Sequence, residues 1–237
     1  MIKEAIILAG GLGTRLKPVI SDVPKCMAPV AGKPFLHYVL DFLQNNGVQH
    51  FVMSVGYLHE MIEEYLSKNY AHLNYTLSLE NEPLGTGGAI KLACAKCVGN
   101  NVLICNGDTL YKIDIAELSN LHEKVNAACT LTLKPMHYFD RYGVVELNED
   151  HSIRSFKEKQ YYTSGLINGG VYALNREVFL KEKLPEKFSF EKDYLEKNVK
   201  DKEDGKPKLC GLILDDYFID IGIPEDYERA QKELAEN

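Results

Sequence analysis

Short continuous apolar runs recur along the chain, and most are followed by a stretch whose apolar positions fall three and four apart. In EAIILAG, the run after Glu4 is apolar without a break and ends on glycine, which predicts a buried strand. PFLHYVLDFLQNNG opens on Pro34 and closes on Gly47, the punctuation of a helix. HFVMSVG, NYTLSLE, NVLICNGD and AACTLTLK predict further strands, with HEMIEEYLSK, GGAIKLACAKC and DIAELSNLHEKV as helices between them. This βαβα alternation with short links predicts an α/β fold, a largely parallel sheet covered by helices on both faces. Ligands of such sheets gather at the carboxyl ends of the strands. The glycines after the first strand, Glu80–Thr86 and Asp108 all follow strand ends, so one site can collect them.

Past about residue 135 the rhythm changes. YGVVELNE, SIRSFKEK and NGGVYALN predict shorter, partly antiparallel strands. A charged stretch, EVFLKEKLPEKFSFEKDYLEKNVKDKEDGKPK, reads as helix and loop with a solvated face, because lysines and acids are interspersed. KLCGLIL and YFIDIG predict two last strands, and PEDYERAQKELAEN a closing helix. No internal repeat or low-complexity linker interrupts the 237 residues, which fit one domain.

Composition narrows the partners. A net charge of -7 argues against a broad surface for nucleic acid or anionic membrane. No apolar run approaches the roughly 20 residues of a membrane span, and the N-terminal run is too short for a secretory core, so a cytoplasmic location is expected. The six cysteines lie mostly in apolar segments and are expected in the core; the Cys94–Cys97 pair has no second pair or nearby histidine to make a zinc site.

The chemistry concentrates in LAGGLGTRLKPVISDVPKCMAPVAGKPF, from Leu8 to Phe35. A redox dinucleotide loop needs G-x-G-x-x-G, which fails at Leu16, and a P-loop needs G-K-[ST], which is absent. Instead Arg15 follows the glycines and Lys25 stands after Pro24. Backbone N–H groups facing a polyphosphate, with two cations converging, suit phosphoryl or nucleotidyl transfer.

Gly10-Gly11-Leu12-Gly13-Thr14-Arg15-Leu16-Lys17-Pro18, then Pro24-Lys25, then Pro29-Val30-Ala31-Gly32-Lys33-Pro34 resembles the signature of the sugar-1-phosphate nucleotidyltransferases. Cys26 departs from it, standing where that family often has proline. The resemblance continues through ENEPLGTGGA, CNGDTL, YGVVEL, SFKEK, INGGVY and FIDIGIPEDY, from about Ile6 to Tyr227. It implies a Rossmann-like three-layer α/β/α sandwich with a mixed, mainly parallel sheet of the nucleotide-diphospho-sugar transferase type. A small antiparallel sugar-binding subregion is implied with it. Within one domain, residues 1–135 would hold the nucleotide and residues 136–237 the sugar phosphate.

The resemblance further implies Arg15 and Lys25 as catalytic cations, and Leu8, Gly10, Gly11, Gly13, Thr14, Glu80, Gly85, Thr86 and Asp108 as nucleotide contacts. Gly143, Glu158, Lys159, Asn168 and Gly169 would meet the sugar phosphate, with Lys157 competing with Lys159, and Asp108 and Asp220 would share Mg²⁺. Such a pair of carboxylates, with phosphate and water completing the shell, suits a hard divalent ion. If Glu80 faces the base, a carboxylate matches the adjacent N1–H and N2 donors of guanine, so GTP is expected; Asn81 or backbone are the competing readers. DVPKCMAPVAGKPFL, LGTGGAI and INGGVY resemble the bacterial D-glycero-α-D-manno-heptose 1-phosphate guanylyltransferases, which make a GDP-heptose for surface polysaccharide. Mannose 1-phosphate, or uridylyl transfer to an amino-sugar 1-phosphate, are the alternatives. A catalytically silent nucleotide-sugar-binding paralogue is the non-enzymatic one, and a homodimer stays open.

Overall fold

The structure, a computed structural model, describes residues 1–11, 20, 22–200 and 208–235. Strand β1 (Glu4–Leu8) is followed by a single turn at Lys25–Met27 and a hairpin of two short strands, β2 (Pro29–Val30) and β3 (Lys33–Pro34). Helix α1 (Phe35–Asn45), β4 (His50–Val55), α2 (His59–Asn69), β5 (Asn74–Leu79), α3 (Gly85–Cys94) and β6 (Asn101–Asn106) then alternate. Next come β7 (Thr109–Tyr111), α4 (Ile115–Lys124), β8 (Cys129–Phe139), β9 (Val144–Leu147), β10 (Ile153–Lys157) and β11 (Tyr162–Asn175). The chain continues through α5 (Arg176–Lys181) and a π-helical segment, Phe190–Glu196, into α6 (Lys197–Lys200). It closes with β12 (Leu209–Ile213), β13 (Phe218–Asp220) and α7 (Pro224–Glu233).

Seven strands form the central sheet in the order β12-β8-β11-β6-β1-β4-β5. β6, β1, β4 and β5 are parallel, while β11 runs antiparallel between β6 and β8. Successive residues of a strand face opposite sides of the sheet, and the two cores show it. Ile7 packs with Phe35, Leu40, Ile62 and Leu118 from α1, α2 and α4. Its neighbour Ile6 packs with Ile90, Phe179, Phe190 and Tyr194 on the other face. Both isoleucines are fully buried, each worth about 1.5–3 kcal/mol of transfer free energy. The architecture is the expected three-layer sandwich. Asp114 caps α4 by accepting from the Glu117 N–H at 2.9 Å, the start signal the sequence carries. All six cysteines are free and buried. Among the described residues, no helix is long and apolar enough to cross a membrane.

Two stretches differ from the expectation. β8 runs on through Pro135, because β12 pairs it only as far as Leu133 and the missing N–H then faces no neighbour on that side. The charged segment after α5 is not simply a solvated face. Phe188, Phe190, Tyr194 and Leu195 are buried, and they carry the segment across the first turn of α3. The charges between them mark its outer side only.

Candidate active site

The carboxyl ends of β1, β4, β5 and β6 open into a cleft of about 930 Å³. Leu8, Gly10, Gly11, Glu80, Gly85, Thr86 and Asp108 line it, which brings together the nucleotide-side residues expected from the sequence. Gly13, Thr14 and Arg15 lie outside the described residues. Asn81, the competing base reader, lines the cleft as well, and so do Ser54, Tyr57, His59, Asn106 and Glu191, which the sequence reading does not reach. Position near or just past the end of a predicted strand is the available signal for Ser54, Tyr57 and Asn106; for Glu191 the sequence carries none.

Glu80 extends from the end of β5, where its N–H is held by the Val55 carbonyl at 2.9 Å. One carboxylate oxygen accepts from the Leu84 N–H at 3.1 Å, and the other lies 3.5 Å from the Ser54 hydroxyl. Burial pushes this carboxyl above its ordinary value. Each oxygen keeps acceptor capacity toward the cleft. The glycines that follow answer mainly to packing. At Gly85, with φ of +74°, a Cβ would come 2.6 Å from the Phe188 carbonyl oxygen, and Gly87 faces the Phe188 ring.

Asp108 follows β6, and Asp220 ends β13. The antiparallel pairing of β13 with β7 puts Asp220 opposite Thr109, and the Ile221 N–H donates to the Asp108 carbonyl at 3.1 Å. Lys25 completes the group. Its ammonium is hydrogen-bonded to Asp108 Oδ2 and stands 3.7 Å from Asp220 Oδ1. Desolvation, then the Asp108 charge, push the Asp220 carboxyl upward; Lys25 and the Gly222 N–H oppose them. Two carboxylates held this close around one cation have the charge and donor set a divalent ion uses. Among the described residues no third His, Cys, Asp or Glu joins them, which leaves the rest of a metal's shell to phosphate and water.

Lys25 sits where it does because its turn is buttressed on two sides. Cys26 is buried, with its Sγ 4.0 Å from the Ala9 carbonyl and its Cβ against Gly107, so a small side chain joins the first loop to the Asp108 turn. Helix α7 grips the following hairpin: Gln231 accepts from the Ala31 N–H at 2.8 Å and donates to the Pro29 carbonyl at 2.6 Å, and the Tyr227 hydroxyl donates to the same carbonyl.

The expected sugar-side residues approach the same end by two routes. Tyr142 donates to Asp220 Oδ2 at 3.3 Å, and next to it a Cβ on Gly143 would meet the Lys157 carbonyl oxygen at 2.4 Å. This close approach ties β9 to the end of β10, beyond which Glu158 and Lys159 are exposed. Lys157 is paired with Glu146, whereas Lys159 has no carboxylate partner among the described residues. In β11 the pairing shifts between Asn168 and Tyr172, and Asn168 accepts from the Gly170 N–H at 3.1 Å. That irregularity sets Gly170 against Asn106 in the cleft, while Gly169 packs on the Tyr111 ring.

The nucleotidyl transferase family profile matches residues 4–237. The chain belongs to the nucleotidyl transferase family. This nucleotidyl transferase is 52% identical, over 98% of each chain, to the D-glycero-alpha-D-manno-heptose 1-phosphate guanylyltransferase of Aneurinibacillus thermoaerophilus. It is 46% identical to the enzyme of the same name from Campylobacter jejuni, covering 94% of this chain and 96% of the relative. HddC from Yersinia pseudotuberculosis, solved in complex with GMP-PN, superposes with a TM-score of 0.85 at 34% identity, covering 98% of this nucleotidyl transferase and 100% of that chain.

Proposed function

We propose that the protein transfers GMP from GTP to D-glycero-α-D-manno-heptose 1-phosphate, releasing pyrophosphate and forming a GDP-heptose for surface polysaccharide. The observation that carries the reading is the convergence of Lys25, Asp108 and Asp220 at one end of a cleft whose other end holds Glu80. The whole-length identity to two heptose 1-phosphate guanylyltransferases supports the sugar.

The attacking phosphate oxygen is already ionised, so little proton transfer is required and catalysis rests on positioning and charge neutralisation. Glu80 accepts the two donors of the guanine edge, and Gly10 and Gly11 let the triphosphate lie against backbone. Lys25 neutralises the α-phosphate and the incoming phosphate, and Arg15 engages the leaving pyrophosphate. Asp108 and Asp220 would hold Mg²⁺, which when bound offsets charge on the phosphate oxygens. Lys159, exposed and without a carboxylate partner among the described residues, binds the sugar phosphate, and Glu158, Asn168, Gly143 and Gly169 contact the sugar. On this reading one domain is divided by labour, residues 1–135 for the nucleotide and 136–237 for the sugar phosphate, with Glu191 reaching from the second part into the nucleotide cleft. The buried free thiols and the use of GTP support a cytoplasmic location.

Pyrophosphate release scanned over four triphosphates and a panel of sugar 1-phosphates tests the reading. Release confined to GTP with manno-configured phosphates is expected; none with that combination overturns it.

A further inference from the structure

We propose that Glu191 accepts a ribose hydroxyl of the triphosphate and makes the site select ribo- over deoxyribonucleotides. The inference rests on the guanylyl-transfer reading. Glu191 lies in the segment that crosses the first turn of α3, and it lines the cleft together with Thr86 and Ala89. The crossing is hydrogen-bonded throughout: the Phe188 N–H donates to the Leu84 carbonyl, the Gly87 N–H to the Phe188 carbonyl, both at 3.0 Å, and the Phe190 N–H to the Thr86 hydroxyl at 2.9 Å. Thr86 in turn donates to Glu191 Oε2 at 2.7 Å, and Ser189 donates to the same oxygen at 3.0 Å.

Both side-chain bonds therefore fall on one oxygen. Oε1 accepts nothing from any described residue, although a carboxylate oxygen has room for two donors. A clasp alone needs only one acceptor atom and no charge. The second oxygen is available to something in the cleft.

Its place along the cleft identifies that group. α3 packs on β1 and β4, and in the sheet these lie between β5, which ends at Glu80, and β6, which precedes Asp108. A nucleotide with its base at Glu80 and its phosphates toward Lys25 and Asp108 sets its ribose over the ends of β1 and β4, against the first turn of α3. Phosphate would be repelled by a carboxylate there, whereas the 2′- and 3′-hydroxyls are donors. Only a ribose offers both.

The test compares kcat and KM for GTP, 2′-deoxyGTP and 3′-deoxyGTP in the parent protein, Glu191→Gln and Thr86→Val, by pyrophosphate release. In Glu191→Gln the amide oxygen can keep the clasp while its NH₂, turned to the cleft, cannot accept a hydroxyl. The parent is expected to favour GTP over at least one deoxy analogue by about tenfold, the scale of one hydrogen bond to a charged group. Glu191→Gln is expected to lose that preference through a higher KM for GTP at nearly unchanged kcat. Thr86→Val loosens the clasp and should affect all three nucleotides in one direction. A parent that uses GTP but does not discriminate, or a Glu191→Gln protein that still does, overturns the inference alone. No turnover of GTP overturns the guanylyl reading and this inference with it.

Discussion

Lys25 is the cation between two carboxylates, and replacing it with methionine keeps the length and removes the charge. At the 3.7 Å that separates its ammonium from Asp220, a unit-charge pair is worth about 4 kcal/mol with an effective dielectric near 20. That figure is gross. The side chains of Asp108 and Asp220 are 31% and 20% exposed, so water recovers part of the loss, and desolvation of the ammonium is relieved. The net cost of Lys25→Met is expected to be about 1–3 kcal/mol at neutral pH, below that of breaking a fully buried pair. Most of this cost is two like charges left facing each other. Adding Asp220→Asn should therefore restore stability in the Lys25→Met background while costing or changing little by itself. Turnover should behave differently: Lys25→Met is expected to lower kcat by about 10²–10³-fold, as loss of one stabilising donor does, with no recovery in the double variant. Urea unfolding of the four proteins of the cycle gives the first quantity, and pyrophosphate release the second. Greater instability when Asp220→Asn is added to Lys25→Met, or turnover of Lys25→Met at the parent's rate, would refute this role for the Lys25 charge.

Other expectations concern separate parts of the molecule. Glu80→Gln replaces one acceptor with a donor and should lower kcat/KM for GTP by about tenfold or more relative to UTP, since a buried donor on guanine is left facing an NH₂; an unchanged preference in a four-triphosphate assay would remove Glu80 as the base reader. Gln231→Ala frees the hairpin behind Lys25 and should reduce kcat several-fold, roughly the cost of a small misplacement, with KM for GTP little changed; equal losses in both would mean a general loosening. His122 is buried between Thr130 and Asn101, and desolvation lowers it from 6.5 to about 4. Because the unfolded chain takes up that proton near pH 6.5 and the fold does not, its contribution is intact above pH 6.5 and fades as pH falls toward 4, a loss of about 3 kcal/mol. Urea unfolding at pH 7.5 and 4.5 should show a smaller drop for His122→Gln than for the parent; identical drops would contradict the assignment.

The parallel half of the fold was legible because its strands are short, rich in apolar residues and closely followed by glycine or acid. The rule that ligands gather at such ends led to Glu80, Thr86 and Asp108 together. What local pattern does not carry is pairing between distant segments. β7 and β13 are three residues each, too short to show a period, yet their pairing is what delivers Asp220 to Asp108. Glu191 was hidden for another reason. Its neighbours alternate lysine and acid, and that charge masked Phe188, Phe190 and Tyr194, whose burial carries the segment over α3. Cys26 is the reverse case: a departure from the signature that the sequence otherwise resembles, which the structure explains as a small buried contact between two loops.

The most direct test is a competition. With GTP and Mg²⁺, equal concentrations of D-glycero-α-D-manno-heptose 1-phosphate and α-D-mannose 1-phosphate are offered to the protein, and products are separated by mass. GDP-heptose as the dominant early product, with one pyrophosphate released per molecule formed, is the expected result. GDP-mannose in excess, or no GDP-sugar at all, would contradict the account.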